Sequence, residues 1–142
     1  MNYKRELIRK LIHFGSSIFP LLYYTFFSRV EMLWLLGALS VIFLVAEILR
    51  MNLLTFKNLF KIFFGPIVRA SESNKLTGAT SIFISSFLTI LIFEKSIAIF
   101  AMLTLSLADA TAALIGKKWG KKIIYDKTIE GTATFFVVAI SL

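Results

Sequence analysis

The stretch MLWLLGALSVIFLVAEIL, residues 32–49, is apolar throughout except for Ser40 and Glu47. Its apolar residues follow one another without the every-second alternation of a half-buried strand, so it reads as a helix with apolar surroundings on all sides. At ~1.5 Å per residue it covers about 27 Å, close to the ~30 Å hydrocarbon core of a bilayer. The whole chain agrees with this reading. Of its 142 residues 58 % are hydrophobic, 15 are Phe, and the mean hydropathy is +0.82. A soluble domain of this size has too little interior to hide so much apolar surface, so lipid has to act as part of the solvent.

Outward from this run the pattern repeats. Residues 2–13 (NYKRELIRKLIH) are basic and roughly amphipathic and lead into the apolar stretch 14–27, interrupted by Pro20. Together they predict one helix with a charged, interfacial first half. Ser28, Arg29 and Glu31 break the chain before residue 32. After Arg50, LLTFKNLFKIFF (53–64) places Lys57 and Lys61 four apart among Phe and Leu, which suits a helix lying in the headgroup plane. Gly65-Pro66 ends it, and RASESNKLTG (69–78) is a polar loop. Three more apolar runs cover 79–93, 96–115 (interrupted by Asp109) and 132–142. The expected fold is all-α: a polytopic membrane helix bundle of about five transmembrane helices plus interfacial amphipathic helices, forming a single transmembrane domain over 1–142. The last run spans only about half of a hydrocarbon core. Truncation of the chain at this point is therefore expected, with a partner, such as a second copy in a homo-oligomer, as another way of completing that helix.

Charge gives the orientation. Lys plus Arg number 16 against 8 Asp plus Glu, a formal charge of +8. If each run crosses once, fourteen of those sixteen cations fall on one side: at the N-terminus, between the second and third runs, and between the fourth and fifth. Only Arg29 and Lys95 fall on the other. The rich side is expected to face the cytosol. Cations confined to short membrane loops point to anionic headgroups or a phosphorylated substrate rather than to nucleic acid. With no cysteine in the chain, disulfides and thiolate metal sites are excluded.

Three segments on the basic side carry polar residues that a passive membrane protein would not need. In ELIRKLIH (6–13), Glu6, Arg9, Lys10 and His13 share one helix face, either as an interfacial helix meeting lipid phosphates or as part of a site; His13 is the only histidine. Glu47 and Arg50, three apart, read as a pair at a helix end. Beyond them, Glu72, Lys75, Thr77 and Gly78 precede a small-residue helix start that serves either as a cap or as a phosphate contact. In the third segment, Asp109 lies about 10 Å inside the boundary marked by Gly116, among Ala108, Ala110, Ala112 and Ala113. A carboxylate in hydrocarbon costs several kcal/mol unless it is paired, metal-bound or hydrated, so it reads as functional, with a structural ion pair as the alternative. The following turn, GKKWGKK (116–122), and KTIEG (127–131) combine glycines that admit phosphate closely with lysines that neutralise it. The Walker A spacing is absent.

The run DATAALIGKKWGKK (109–122) followed by KTIEG (127–131) resembles the CTP-dependent lipid kinases, a group that includes dolichol kinase, phytol kinase and the CTP-using diacylglycerol kinase. It is more distantly similar to phosphatidate cytidylyltransferases. The matching pattern is D-x-x-A-x-x-x-G-x-x-x-G-K, then K-[ST]-x-E-G, and ELIRKLIH (6–13) and ESNKLTGAT (72–80) fit as well. The resemblance implies transfer of the γ-phosphoryl group of CTP to the hydroxyl of a membrane lipid alcohol (polyprenol, phytol or diacylglycerol), with Mg2+ as cofactor. It implies catalytic roles for Asp109, Glu130 and His13, and metal ligation by Asp109, Glu72 and Glu130. Nucleotide contacts would come from Gly116, Lys117, Lys118, Gly120, Lys121, Lys122, Lys127, Thr128 and Gly131, joined by Lys75, Thr77 and Gly78. Asp109 would hold Mg2+ or take the hydroxyl proton. The competing readings are a CTP:lipid-phosphate cytidylyltransferase, a small transporter with Asp109 and Glu47 on an ion path, and a non-enzymatic membrane protein. Lysine- and glycine-rich loops at one end only argue against a permeation path, which needs polar groups through its full depth.

Overall fold

A computed structural model describes residues 3–64, 76–121, 123–124 and 127–142. They form α1 (Tyr3–Gly15), α2 (Ile18–Thr25), α3 (Arg29–Asn52), α4 (Leu54–Phe64), α5 (Gly78–Ile92), α6 (Lys95–Leu103), a π-helical turn (Thr104–Ala108), α7 (Asp109–Trp119) and α8 (Ile129–Ser141). Between α7 and α8 two short strands, β1 (Ile123–Ile124) and β2 (Lys127–Thr128), pair antiparallel with Ile123 opposite Thr128 and Ile124 opposite Lys127. Among the described residues the regular structure is helical apart from this small hairpin. Two helices have the length and apolarity to cross a bilayer: Arg29–Asn52, and the continuous Lys95–Trp119. Gly78–Ile92 and Ile129–Ser141 are apolar but shorter.

The N-terminal stretch differs from the single helix expected of it. α1 ends at Gly15, a turn through Ser16 and Ser17 follows, and α2 begins at Ile18. Proline lacks an N–H and crowds the carbonyl four residues back, so it is tolerated only in the first turn of a helix. The break places Pro20 in that first turn, where it is buried. Ser16 closes α1 by donating its hydroxyl to the His13 carbonyl.

The residues divide into two compact units, 1–27 with 94–142, and 28–93. In the first, α2 packs on α6 and α8 packs on α7 and the π turn, with Tyr23, Ala98, Met102, Ala108 and Ala110 buried. Lys95 donates to the Phe27 carbonyl at 3.1 Å and its ammonium sits 4.9 Å from the centre of the Tyr23 ring. In the second unit α3 packs on α5 and α4. Ser28 starts α3 with a reciprocal capping box: the Glu31 N–H donates to the Ser28 hydroxyl, and the Ser28 N–H donates to the Glu31 carboxylate at 2.8 Å. Gly37 lets the Phe87 ring approach; a Cβ there would lie 3.3 Å from it. Phe43 and Phe83 stack at 4.7 Å. Trp34, Val41, Ile42, Val137 and Ile140 point outward, as expected of side chains whose solvent is lipid.

Candidate active site

Asp109 opens α7, and the five residues before it form the π turn. A π turn widens the helix by one residue and redirects the side chains that follow; such turns are frequent at functional sites. Hydroxyls on either side take up the loosened carbonyls. Ser106 donates to the carbonyls of Met102 and Leu103, and Thr111 donates to those of Leu107 and Ala108. Against this turn and against α7 lies α1. Its Lys10 ammonium donates to Asp109 Oδ2 at 2.7 Å. The lysine is the more buried partner, 17 % exposed against 40 % for the carboxylate. One oxygen of Asp109 thus faces a cation while the carboxyl group keeps access to its surroundings.

His13 sits one turn along α1 from Lys10. Burial, reinforced by the Lys10 charge, pushes its pKa below the usual histidine value, with Asp109 and the Ser106 backbone acting in the opposite direction. The imidazole is therefore neutral at pH 7, and its buried Nδ1 has no hydrogen-bond partner among the described residues. The structure brings His13, Lys10 and Asp109 into one neighbourhood. Lys10 was visible in the sequence only as one basic residue of a helical face; the π turn had no sequence signal at all.

The glycine motif turns out to build the junction between α7 and α8. A methyl group added at Gly116 would run into Thr128 Oγ1 and lie 3.2 Å from Gly131 Cα. At Gly131 it would lie 2.9 Å from the Ala112 carbonyl, and at Gly120 it would strike the Gly116 carbonyl and the Thr128 side chain. Their N–H groups are committed too. Gly120 N–H donates to the Gly116 carbonyl at 3.1 Å, Gly131 N–H to the Thr128 hydroxyl at 3.2 Å, and Lys121 N–H to Glu130 Oε1 at 3.1 Å. Thr128 is thus the N-cap of α8, and Glu130 ties the lysine turn to that helix. The expectation that these glycines open the backbone to phosphate gives way here to a packing role, because the space beside each α-carbon is filled by the protein itself. The side chains of Lys117, Lys118, Lys121 and Lys127 are all exposed, with the Lys118 ammonium 4.4 Å from the centre of the Trp119 ring. An open groove of about 420 Å³ runs from Lys127 and Thr128 along Ile129, Thr132 and Ala133 to Phe136.

In the second unit Thr77 is buried and Gly78 is exposed at the start of α5. Glu72, Lys75 and Lys122 lie outside the described residues, as does the side chain of Glu6. Among the described residues no three carboxylate or histidine groups gather around a common point. Mg2+ needs fewer: it is usually bound by one or two carboxylates, with waters and substrate phosphates completing its shell. Asp109, with one oxygen on Lys10 and the carboxyl group partly exposed, fits that demand.

The chain is 34 % identical over 138 residues to uncharacterized protein RP860 of Rickettsia prowazekii, covering 95 % of this chain and 67 % of that protein. It is 29 % identical over 143 residues to CTP-dependent diacylglycerol kinase 1 of Schizosaccharomyces pombe, covering 96 % of this chain and 65 % of the relative. With the protein of the same name from Saccharomyces cerevisiae the identity is 26 % over 141 residues, covering 96 % and 49 %. Over nearly its whole length the chain is thus similar to proteins of the CTP-dependent lipid kinase family. It spans about half to two thirds of the length of these relatives. No family model and no solved structure matches it.

The packing at the family's glycine motif gives a direct test. Gly131→Ala should destabilise the protein by about 1–3 kcal/mol through overpacking of α8 on α7, read as a lower thermal unfolding temperature in detergent. An unchanged temperature would mean that the junction is not closed as described.

Proposed function

We propose that this chain carries the catalytic region of a membrane lipid kinase, which transfers the γ-phosphoryl group of CTP to the hydroxyl of a lipid alcohol. The observation that carries the reading is the Lys10–Asp109 pair, 2.7 Å long, on a helix that runs directly into the lysine turn. The match over nearly the whole chain to proteins named CTP-dependent diacylglycerol kinase supports the donor and the kind of acceptor.

Phosphoryl transfer asks a protein mainly for positioning and countercharge. The lipid hydroxyl oxygen attacks the γ-phosphorus, the bond from that phosphorus to the bridging oxygen breaks, and CDP leaves. Asp109 meets the hydroxyl with the oxygen that Lys10 does not hold, orienting it and receiving its proton. Lys10 holds the carboxylate in place through its 2.7 Å contact. Lys117, Lys118, Lys121 and Lys127 neutralise the triphosphate, joined in this reading by Lys122. Mg2+, which the family resemblance implies, would be held by Glu130, with Asp109 as a further ligand in the alternative in which it does not take the proton, and would supply positive charge to the phosphate oxygens. The neutral His13 packs beside Lys10 and Asp109 and shapes their surroundings. The groove from Lys127 to Phe136 is polar at one end and apolar along its length, which suits an alkyl or isoprenoid chain with a phosphate at its head. The basic turns and the site face the cytosol, by the one-sided distribution of cations.

The assay uses the full-length protein in detergent with Mg2+, γ-labelled CTP, and polyprenol, phytol or diacylglycerol. Label should appear in one of the lipids. Absence of labelled lipid, with a CDP-lipid formed instead from α-labelled CTP and phosphatidate, would replace this reading by that of a cytidylyltransferase. Asp109→Asn should remove transfer while leaving membrane insertion near normal; turnover close to that of the parent would displace Asp109 from the reacting centre. Lys121→Ala and Lys127→Ala should raise KM for CTP with little change in kcat, and an unchanged KM in both would move the phosphate site elsewhere.

A further inference from the structure

The Lys10–Asp109 pair of the first unit differs from the buried pair on α3 of the second. There Glu47 and Arg50 are each 5 % exposed. Arg50 Nε donates to Glu47 Oε2 at 2.7 Å, while Oε1 accepts the Thr77 N–H at 3.0 Å and the Thr80 hydroxyl at 3.2 Å. Both oxygens of that carboxylate are occupied, as a buried ion pair requires when its task is structural.

The pair on Asp109 is left open. Its one bond runs from the Lys10 ammonium to Oδ2. Among the described residues Oδ1 accepts no hydrogen bond, and the other N–H groups of Lys10 find no acceptor. An ammonium carries three donors, and this one is largely withdrawn from solvent, its side chain 17 % exposed against 40 % for the carboxylate. One turn along α1, the buried Nδ1 of His13 also has no partner among the described residues. Buried polar groups are as a rule hydrogen-bonded. Unpartnered donors beside a partly exposed carboxylate are placed to take the oxygens of an anion.

The place of this ammonium along α7 matters for phosphoryl transfer. Asp109 is the first residue of α7, and Lys117 and Lys118 lie in its last turn. About 12 Å of helix axis separates Asp109 from Lys117, more than a lysine side chain spans. A hydroxyl oriented by Asp109 needs the γ-phosphorus within about 3–3.5 Å. At that end of α7 the structure supplies a cation from a different helix, and it is Lys10.

We propose that Lys10 is a catalytic residue of the kinase, its ammonium binding a non-bridging oxygen of the γ-phosphate while it keeps its bond to Asp109. The inference rests on the kinase reading above. Lys10 then joins donor and acceptor at one point, and the α- and β-phosphates run along α7 toward Lys117 and Lys118. The hydroxyl oxygen bonds to the γ-phosphorus as the bond to the bridging oxygen breaks. CDP takes the electron pair of that bond, and the hydroxyl proton passes to Asp109. Lys10 exchanges no proton; it meets the charge on the γ-oxygens with a donor fixed before the reaction.

The test separates the γ-phosphate from the rest of the nucleotide, since CDP lacks it. Kd for CTP and for CDP is measured with Mg2+ on the full-length protein in detergent, for the parent and for Lys10→Met, alongside turnover. Lys10→Met should raise Kd for CTP about tenfold, leave Kd for CDP within about twofold, and lower kcat about a hundredfold. A lysine that only held Asp109 in place would leave both Kd values unchanged or move both by one factor. Either result overturns the inference while the kinase reading stands. If Lys10→Met fails to insert, Lys10→Gln, which can still donate to Asp109 without the charge, is read in the same way. A parent protein that passes label from γ-labelled CTP to no lipid overturns the kinase reading and this inference with it.

Discussion

A carboxylate set among Ala, Leu and Ile in a membrane helix has to find a cation, and the first unit is organised by the way Asp109 finds Lys10. For the pair to form, α1 must lie against α7 with Lys10 turned toward it, so an amphipathic helix that could have rested among headgroups is held against α7 and the π turn. Small residues allow the approach: Ala108 and Ala110, on either side of Asp109, are fully buried. The π turn before Asp109 sets where the carboxylate points, and the hydroxyls of Ser106 and Thr111 take up the carbonyls it loosens. His13, one turn beyond Lys10, is held neutral by the same burial that makes the pair necessary.

The family motif divides into two physical tasks. Its glycines and its threonine serve folding, because they close α7 on α8 through backbone contacts and a helix cap. Its aspartate is partly exposed, and Lys117, Lys118, Lys121 and Lys127 are exposed. This division explains why the motif extends over more than twenty residues without gathering into a compact backbone cradle. The Glu130 bond to the Lys121 N–H fixes the lysine turn. In the second unit Glu47 and Arg29 hold the two ends of α5.

Much of the fold was legible in the sequence, since the continuous apolar runs and the polar break at Ser28, Arg29 and Glu31 follow from local rules of period and composition. Asp109 stood out for a related reason: a charge in an apolar run needs an explanation. Pro20 was read as interrupting one helix, whereas it sits in the first turn of a second, because the competing stop signal at Gly15 and Ser16 depends on how the turn closes. The glycines were read as openings for phosphate, and only tertiary packing reveals which atoms fill the space beside each α-carbon. The π turn and the pairing of Lys10 with Asp109 are set by how α1 meets α7, which no local pattern encodes. The likeness to the family supplied the donor and the reaction, since neither can be deduced from the spacing of lysines.

The account stands or falls on the coupling between Lys10 and Asp109, and a double-mutant cycle of Lys10→Met and Asp109→Asn, followed by thermal unfolding in detergent, measures it directly. If the two side chains form the pair described, the double variant should be more stable than the sum of the single effects implies, by about 1 kcal/mol or more. Effects that add to within about 0.3–0.5 kcal/mol, the behaviour of sites that do not touch, would contradict it.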